Sequence, residues 1–582
     1  VSATDTRHGP GLPPQTKLLW AGLIAIAAIA GYAWGSTRLA RFMTGADTDL
    51  PSNPFSLLIG LGSGRISWGR GEWTSLGLLL AATVLVVALA GFPVGVWRHR
   101  SGGPRSVDRA ARHLAGGAEV AAFTTTGVSR TARRLGVEAG APGLPIGRTV
   151  VGDRPLYSSW EDVCVDIWGP RTGKTTARAI PAILAAPGAV LVTSNKRDIV
   201  DATRGPRAAH GRVWVFDPQQ IIDEPPRWWW NPLSYVTDEA RARTLADLFA
   251  TGSREAGAKT DAFFDSAGRD LLSGLLLAAA LARRPITQVY EWLCAPGDDE
   301  AVEVLADAGH PLTAGAVSAA VNAPDKQRAG VFATAQQAVS FLTTRSALPW
   351  ITQTSGSRPQ LDVARFVENT STLYAVSKEG RGTLGPLVAA LTVAVTEAAE
   401  ALAKQSPHGR LPVPMVTVLD EAANVCRWPD LPDLYSHYGS RGIVMMTILQ
   451  SWSQGVQVWG REGMRKLWSA ANVRVYGGGV GEVEFLSELA QIVGDYQRDE
   501  HSRSEAAKSG ASTTYSLRSQ RVLDVADLAA MPRGRALVIA SGSRPVLVRT
   551  QPWTRGPHAA AVRASIAAHE PHHLPTAKKG PR

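Results

Sequence analysis

The sequence predicts an α/β fold: a parallel sheet of alternating strands and helices, broken by an all-α insertion and preceded by two membrane-spanning helices. Three observations carry this expectation. Apolar runs of strand length recur between helical stretches from residue 163 to residue 540. One of these runs leads into a glycine turn, a Lys-Thr pair and a helix. Strand-like runs are missing from 236–349, which reads as helices, for example Ala240 to Ala250 and Ser266 to Ala282.

Residues 1–17 are polar, contain Pro10, Pro13 and Pro14, and read as a tail. Leu18 to Trp34 is apolar without interruption and gives the first span, 18–34. A cleaved signal peptide is the other reading of this run, with Lys17 before it and small residues at Ala28 to Ala30. Leu76 to Trp97 gives the second span, 76–97, and both runs end on tryptophan, the interfacial residue. Between them lies a Gly-, Ser- and Pro-containing loop, 35–75. Arg98, Arg100, Arg105, Arg109 and Arg112 follow the second span and mark that end as cytoplasmic. Arg7 and Lys17 before the first span conflict with Arg38 and Arg41 after it, so the second span sets the orientation and places the N-terminus inside as well. Residues 98–150 read as a basic connector.

The core begins at Val163 to Ile167, a short buried strand. After it come Trp168, Gly169, Pro170, Arg171, Thr172, Gly173, Lys174, Thr175 and Thr176, then a helix with Ala177, Ile180, Ile183 and Leu184 at helical spacing. Residues 169–176 are therefore the candidate nucleotide-binding loop, with backbone N–H groups around the phosphates. Lys174 reaches the β- and γ-phosphates of ATP, and Thr175 ligates Mg²⁺. The pattern G-x-x-x-x-G-K-[ST] calls for glycine at 168, where this chain has tryptophan. Further strands are expected at Ala189 to Thr193, Val213 to Phe216, Thr372 to Val376, Met415 to Leu419, Ile443 to Leu449, Val473 to Tyr476 and Ala536 to Ala540.

The other half of a phosphate site follows Met415 to Leu419, a strand ending in Asp420-Glu421. Asp420 is placed to hold Mg²⁺, and Glu421 to orient and deprotonate the attacking water; two acids are needed because the two tasks differ. Gln450, at the end of the next strand, is placed to sense the γ-phosphate. Arg441, in the turn before that strand, is a candidate arginine finger in cis or from a neighbouring subunit, and is equally readable as a surface arginine.

At 582 residues the chain exceeds one ordinary domain, and its net charge of +11 favours an anionic partner. Its arginine-rich composition weakens that inference. Cys164, Cys294 and Cys426 form no disulfide framework and no zinc spacing, which suits a reducing compartment. Residues 546–582 read as a polar tail whose His569, His572 and His573 are not joined by other ligands.

The stretches WGPRTGKTT, VLVTSNKRDIVDAT, VWVFDPQ, WWWNPLS, VLDEAANV, SRGIVMMTILQS and RVLDVADLAAMPRGRALVIASG together resemble the type IV secretion coupling proteins of the TraG/TraD conjugative DNA-transfer family. The resemblance implies a RecA-like P-loop NTPase core over 151–235 and 350–545, with 236–349 as the membrane-distal domain implicated in substrate choice. It carries the nucleotide-binding lysine to Lys174, the hydroxyl ligand to Thr175, the acidic pair to Asp420 and Glu421, and the glutamine to Gln450. It further implies a homo-hexameric ring anchored in the cell membrane with its ATPase domain cytoplasmic. The implied partners are DNA, single-stranded and relaxase-bound, in a central channel, and secretion-channel proteins. Other readings are an FtsK-like translocase of double-stranded DNA, a protein-secretion ATPase, and a docking receptor whose nucleotide only supports assembly.

Overall fold

The computed structural model describes residues 14–45, 51–83, 106–138, 140–253, 261–353, 356–378, 384–505 and 511–571. The chain divides into two units, Val1–Arg105 and Ser106–Arg582. In the first, a helix runs over Pro14–Thr44, so it contains the expected span 18–34 and continues into the stretch expected to be loop. That stretch also holds a short helix, Pro54–Gly62, capped by the Asn53 side chain, which accepts from the Phe55 N–H at 3.0 Å. The apolar spacing of Leu57, Leu58 and Leu61 explains why a nominal loop is helical here. Residues 70–83 are helical, and Tyr32 Oη donates to Thr83 Oγ1 at 2.7 Å. The remainder of the expected second span, 84–97, and residues 1–13 lie outside the described residues.

The second unit is organised on an eleven-stranded sheet. Its strands are β1 (Leu144–Thr149), β2 (Pro155–Ser158), β3 (Cys164–Ile167), β4 (Val190–Ser194), β5 (Val213–Phe216), β6 (Thr372–Val376), β7 (Met415–Leu419), β8 (Ile443–Leu449), β9 (Val473–Tyr476), β12 (Arg535–Ala540) and β13 (Val546–Arg549). β10 (Asp495–Glu505) and β11 (Ala511–Arg521) form a separate antiparallel ribbon. The order is β2-β1-β13-β12-β9-β3-β8-β7-β4-β6-β5. From β9 to β5 every pairing is parallel. These central strands are buried on both faces, which is why they read as continuous apolar runs. Val163, Val165 and Ile167 join the core on one face, and Cys164 and Trp168 the core on the other.

The sheet is not wholly parallel, as the alternation of elements suggested. β12 runs antiparallel to β9 and to β13, β13 to β1, and β1 to β2. The short link between β12 and β13 permits only an antiparallel return. Two expected linkers are thereby drawn into the fold. β1 lies in the stretch read as connector, where its Pro145 and Gly147 and a register shift hide the strand signal. β13 opens the stretch read as polar tail, and a helix over Ala559–His569 follows it. Ser565 fixes that helix to the helix Asp198–Ala208: its Oγ donates to the Asp201 carbonyl at 2.5 Å and accepts from the Gly205 N–H at 3.0 Å.

Between β5 and β6 the chain carries no strand among the described residues. Helices over Glu239–Ser253, Ala262–Leu281, Thr287–Cys294, Glu300–Asp307, Pro311–Val321 and Asp325–Ala338 fill it. After β6 comes Gly385–Gln405, long and apolar enough to cross a membrane, yet 72% of its apolar window is buried, which makes it a core helix.

Candidate active site

β3 ends against the loop at 168–174. The Trp168 N–H continues the strand ladder to the Leu449 carbonyl at 2.9 Å, and the Gly169 N–H donates to the Gly478 carbonyl at 2.9 Å. Arg171 and Gly173 both adopt positive φ, 60° and 105°, so the chain turns sharply within the loop. Thr172 Oγ1 donates to the Gly169 carbonyl at 2.6 Å and Thr176 Oγ1 to that of Gly173 at 3.1 Å. Thr175, directly after Lys174, opens a π-turn over Thr175–Ala179 that leads into the helix Ile180–Ala185.

Since β3, β8 and β7 lie side by side and parallel, their carboxyl ends bring Lys174, Gln450 and the pair Asp420-Glu421 together. The Lys174 ammonium ion-pairs with Asp420 Oδ1 at 3.2 Å and contacts Glu421 Oε1. Gln450 Nε2 donates to Glu421 Oε1 at 2.7 Å, and Asn424 Nδ2 approaches Glu421 Oε2 at 3.4 Å. Both carboxylates are buried, and Glu421 is held in the left-handed region at φ 56°. Burial pushes the Asp420 carboxyl above its ordinary range, against the attraction of Lys174. A buried ammonium between two buried carboxylates, beside a loop of backbone N–H groups, is a donor set suited to a phosphate chain and a divalent cation.

Arg441 is not part of this cluster. It caps the helix Leu431–Ser440 and precedes β8, at the amino end of the strand, whereas Gln450 follows the carboxyl end. The seven residues of β8 separate the two ends by about 23 Å. Arg441 Nη1 instead pairs with Glu400 Oε1 at 3.2 Å. In a parallel sheet a residue before a strand lies at the opposite edge from one after it, so the position of Arg441 does not fit a finger in cis.

Two features of the site escaped sequence reasoning. One is the turn Gly477-Gly478-Gly479 after β9, on which the loop rests; a Cβ at Gly169 would overlap Gly479, and one at Gly479 would come within 2.5 Å of Thr172 Cγ2. The other is a buried ion pair beneath the loop, Asp166 with Arg178. A lone aspartate inside an apolar strand was its visible signal, since a buried carboxylate requires a donor.

Residues 414–533 match the family TraG-D_C, described as the TraM recognition site of TraD and TraG. This segment is similar to the TraG/TraD family. The matched segment contains Asp420, Glu421, Arg441 and Gln450, and it starts beyond the phosphate loop. No curated protein matches the sequence. The fold of this chain is similar to that of the bacterial conjugative coupling protein TrwBdeltaN70 in its unbound monoclinic form, at TM-score 0.52 and 15% identity, over 76% of this chain and 96% of that one. It is also similar to the plasmid coupling protein TrwB in complex with ADP and Mg²⁺, at TM-score 0.50 and 15% identity, over 72% and 92%. TrwB with the non-hydrolysable ATP analogue ADPNP gives TM-score 0.50 and 16% identity over the same shares.

Proposed function

We propose that the protein is a membrane-anchored ATPase that couples relaxase-bound DNA to a type IV secretion channel in conjugative transfer. One observation carries the reading: Lys174, Asp420, Glu421 and Gln450 converge at the carboxyl ends of three adjacent strands. TrwB, whose fold is similar, has been seen with ADP and Mg²⁺. The residues of this chain divide the work. Lys174 and the N–H groups of 169–176 bind and orient the phosphates, and Thr175 and Asp420 hold the cation. Bound Mg²⁺ supplies charge neutralisation on the phosphate oxygens. Glu421 takes the proton of the attacking water, and Gln450, bonded to it, keeps its carboxylate aimed. Arg441, remote from its own site, acts across a subunit interface in a homo-hexameric ring.

Anchoring is supported by Pro14–Thr44, whose 31 residues extend about 46 Å, more than the roughly 30 Å of a hydrocarbon core. The test is ATP turnover by the full chain in nanodiscs, without DNA and with single- or double-stranded DNA. Stimulation by single strands is the expected result. Stimulation by duplex alone favours a double-strand translocase, and turnover indifferent to both overturns the motor reading.

A further inference from the structure

The residue that departs from the loop pattern is also fully enclosed. Trp168 is fully buried, and its Nε1–H donates to Asp166 Oδ2 at 3.2 Å. Asp166 is fully buried too and receives Arg178 through both oxygens, from Nε at 2.7 Å and from Nη2 at 3.1 Å. Arg178 belongs to the π-turn that follows Lys174, and its Nη1 donates to the Pro145 carbonyl of β1 at 2.5 Å. The other side of the indole meets Gly477, where a Cβ would overlap the ring. The Gly477 N–H in turn donates to the Ile167 carbonyl at 2.9 Å.

We infer that Trp168 is a positioning residue for the nucleotide: clamped between Asp166–Arg178 and Gly477, it sets the height of the phosphate loop, a task the usual pattern leaves to a glycine turn. The inference rests on the nucleotide reading above. The geometry leaves the indole little choice. Rotating it away would orphan one of the buried donors bonded to Asp166, and lifting it would break the seat of Gly169 on Gly478. The loop is thus joined to its own helix through Arg178 and to the neighbouring strand through Gly477. The residues that serve the water, Glu421 and Gln450, come from β7 and β8 and make no contact with this clamp in the hydrogen-bond network described. A displaced loop therefore weakens nucleotide binding before it weakens the chemical step.

The experiment uses the full chain in nanodiscs, with MgATP titrated for affinity and turnover resolved into KM and kcat. Gly477→Ala pushes a methyl into the indole and is expected to raise Kd and KM about tenfold or more, with kcat within about twofold of wild type. Adding Trp168→Phe to Gly477→Ala makes room for the methyl and is expected to recover most of that affinity. Unchanged KM in Gly477→Ala, or no recovery in the double variant, overturns the inference. Should Gly477→Ala fail to fold, Trp168→Phe alone decides: it removes the Asp166 hydrogen bond and must raise KM by about threefold or more, and an unchanged KM overturns the clamp. If the wild type binds no MgATP and Lys174→Ala changes nothing, it is the nucleotide reading that has failed.

Discussion

Gln450 donates through Nε2 to Oε1 of Glu421 at 2.7 Å, joining the carboxyl ends of two neighbouring strands by one hydrogen bond. That oxygen also meets the Lys174 ammonium. Glu421 thus meets the lysine of the loop after one strand and the glutamine after another.

The first consequence is a division between binding and turnover. Glu421→Gln is expected to retain MgATP affinity and to lose turnover by about 10²–10⁴-fold, since an amide cannot take the proton. Gln450→Ala leaves the carboxylate in place and unaimed, so a smaller loss in kcat is expected, with little change in affinity. Steady-state turnover beside equilibrium binding checks both, and equal turnover of wild type and Glu421→Gln would remove Glu421 from the role of base.

Lys174→Ala should act on affinity. The loss of a charge-assisted contact of about 3 kcal/mol corresponds to a little over 100-fold in Kd. The same change leaves Asp420 and Glu421 buried side by side without their cation. Thermal unfolding of the variant without nucleotide should therefore show stability increasing toward acid pH more steeply than in the wild type. A flat profile would show that the carboxylates find another partner.

The pH dependence of cation binding follows from Asp420, whose carboxyl is raised by burial against the attraction of Lys174. A raised folded value means that the native state holds this proton to higher pH than the unfolded chain does. The associated stability is present below the unfolded value of about 3.9 and is lost as pH rises through the folded one. Mg²⁺ needs the ionised form, so its affinity should improve with pH across that same window, with proton release on binding. Titration calorimetry in buffers of different ionisation enthalpy measures the release. Asp420→Asn should abolish it, and identical heats in all buffers for the wild type would refute the linkage.

Arg441 offers a test of assembly. At the far end of β8 and paired with Glu400, it does not reach the nucleotide of its own subunit. Arg441→Ala is expected to bind MgATP normally and to hydrolyse it poorly, because a guanidinium across an interface stabilises the transition state in the next subunit. Mixing this variant into wild type should lower activity out of proportion to dose. A strictly proportional fall means that each subunit works alone, and full activity of the variant means that Arg441 only holds Glu400.

The strands that carry the site were legible because each is buried on both faces. Val213–Phe216, Thr372–Val376, Met415–Leu419 and Ile443–Leu449 are rich in apolar residues, Val473–Tyr476 is apolar but for Arg474, and the structure has strands with these bounds. The antiparallel wing was not legible. Leu144–Thr149 contains proline and glycine, and Val546–Arg549 is only four residues long. The ribbon over Asp495–Glu505 and Ala511–Arg521 is polar along its length and offers no hydrophobic period. In the site, Lys174, Asp420, Glu421 and Gln450 were placed by their position after a strand. The same rule places Arg441, which comes before one, at the opposite edge. Trp168 looked like a flaw in a motif because its partners, Asp166, Arg178 and Gly477, are assembled only by the fold.

The antiparallel wing also bears on how the protein is made. β1 pairs with β13, and beside that pairing Arg535 donates to both oxygens of Asp108, 427 positions earlier in the chain. At a synthesis rate of roughly 5–20 residues per second, Asp108 is incorporated roughly 20–85 s before Arg535. Until β13 is made, β1 lacks the strand that covers its other edge, a template for wrong strands. The sheet closes only after β13 has been made. Its yield in a heterologous host should therefore depend on chaperones that shield the growing edge, more than on the stability of the finished fold.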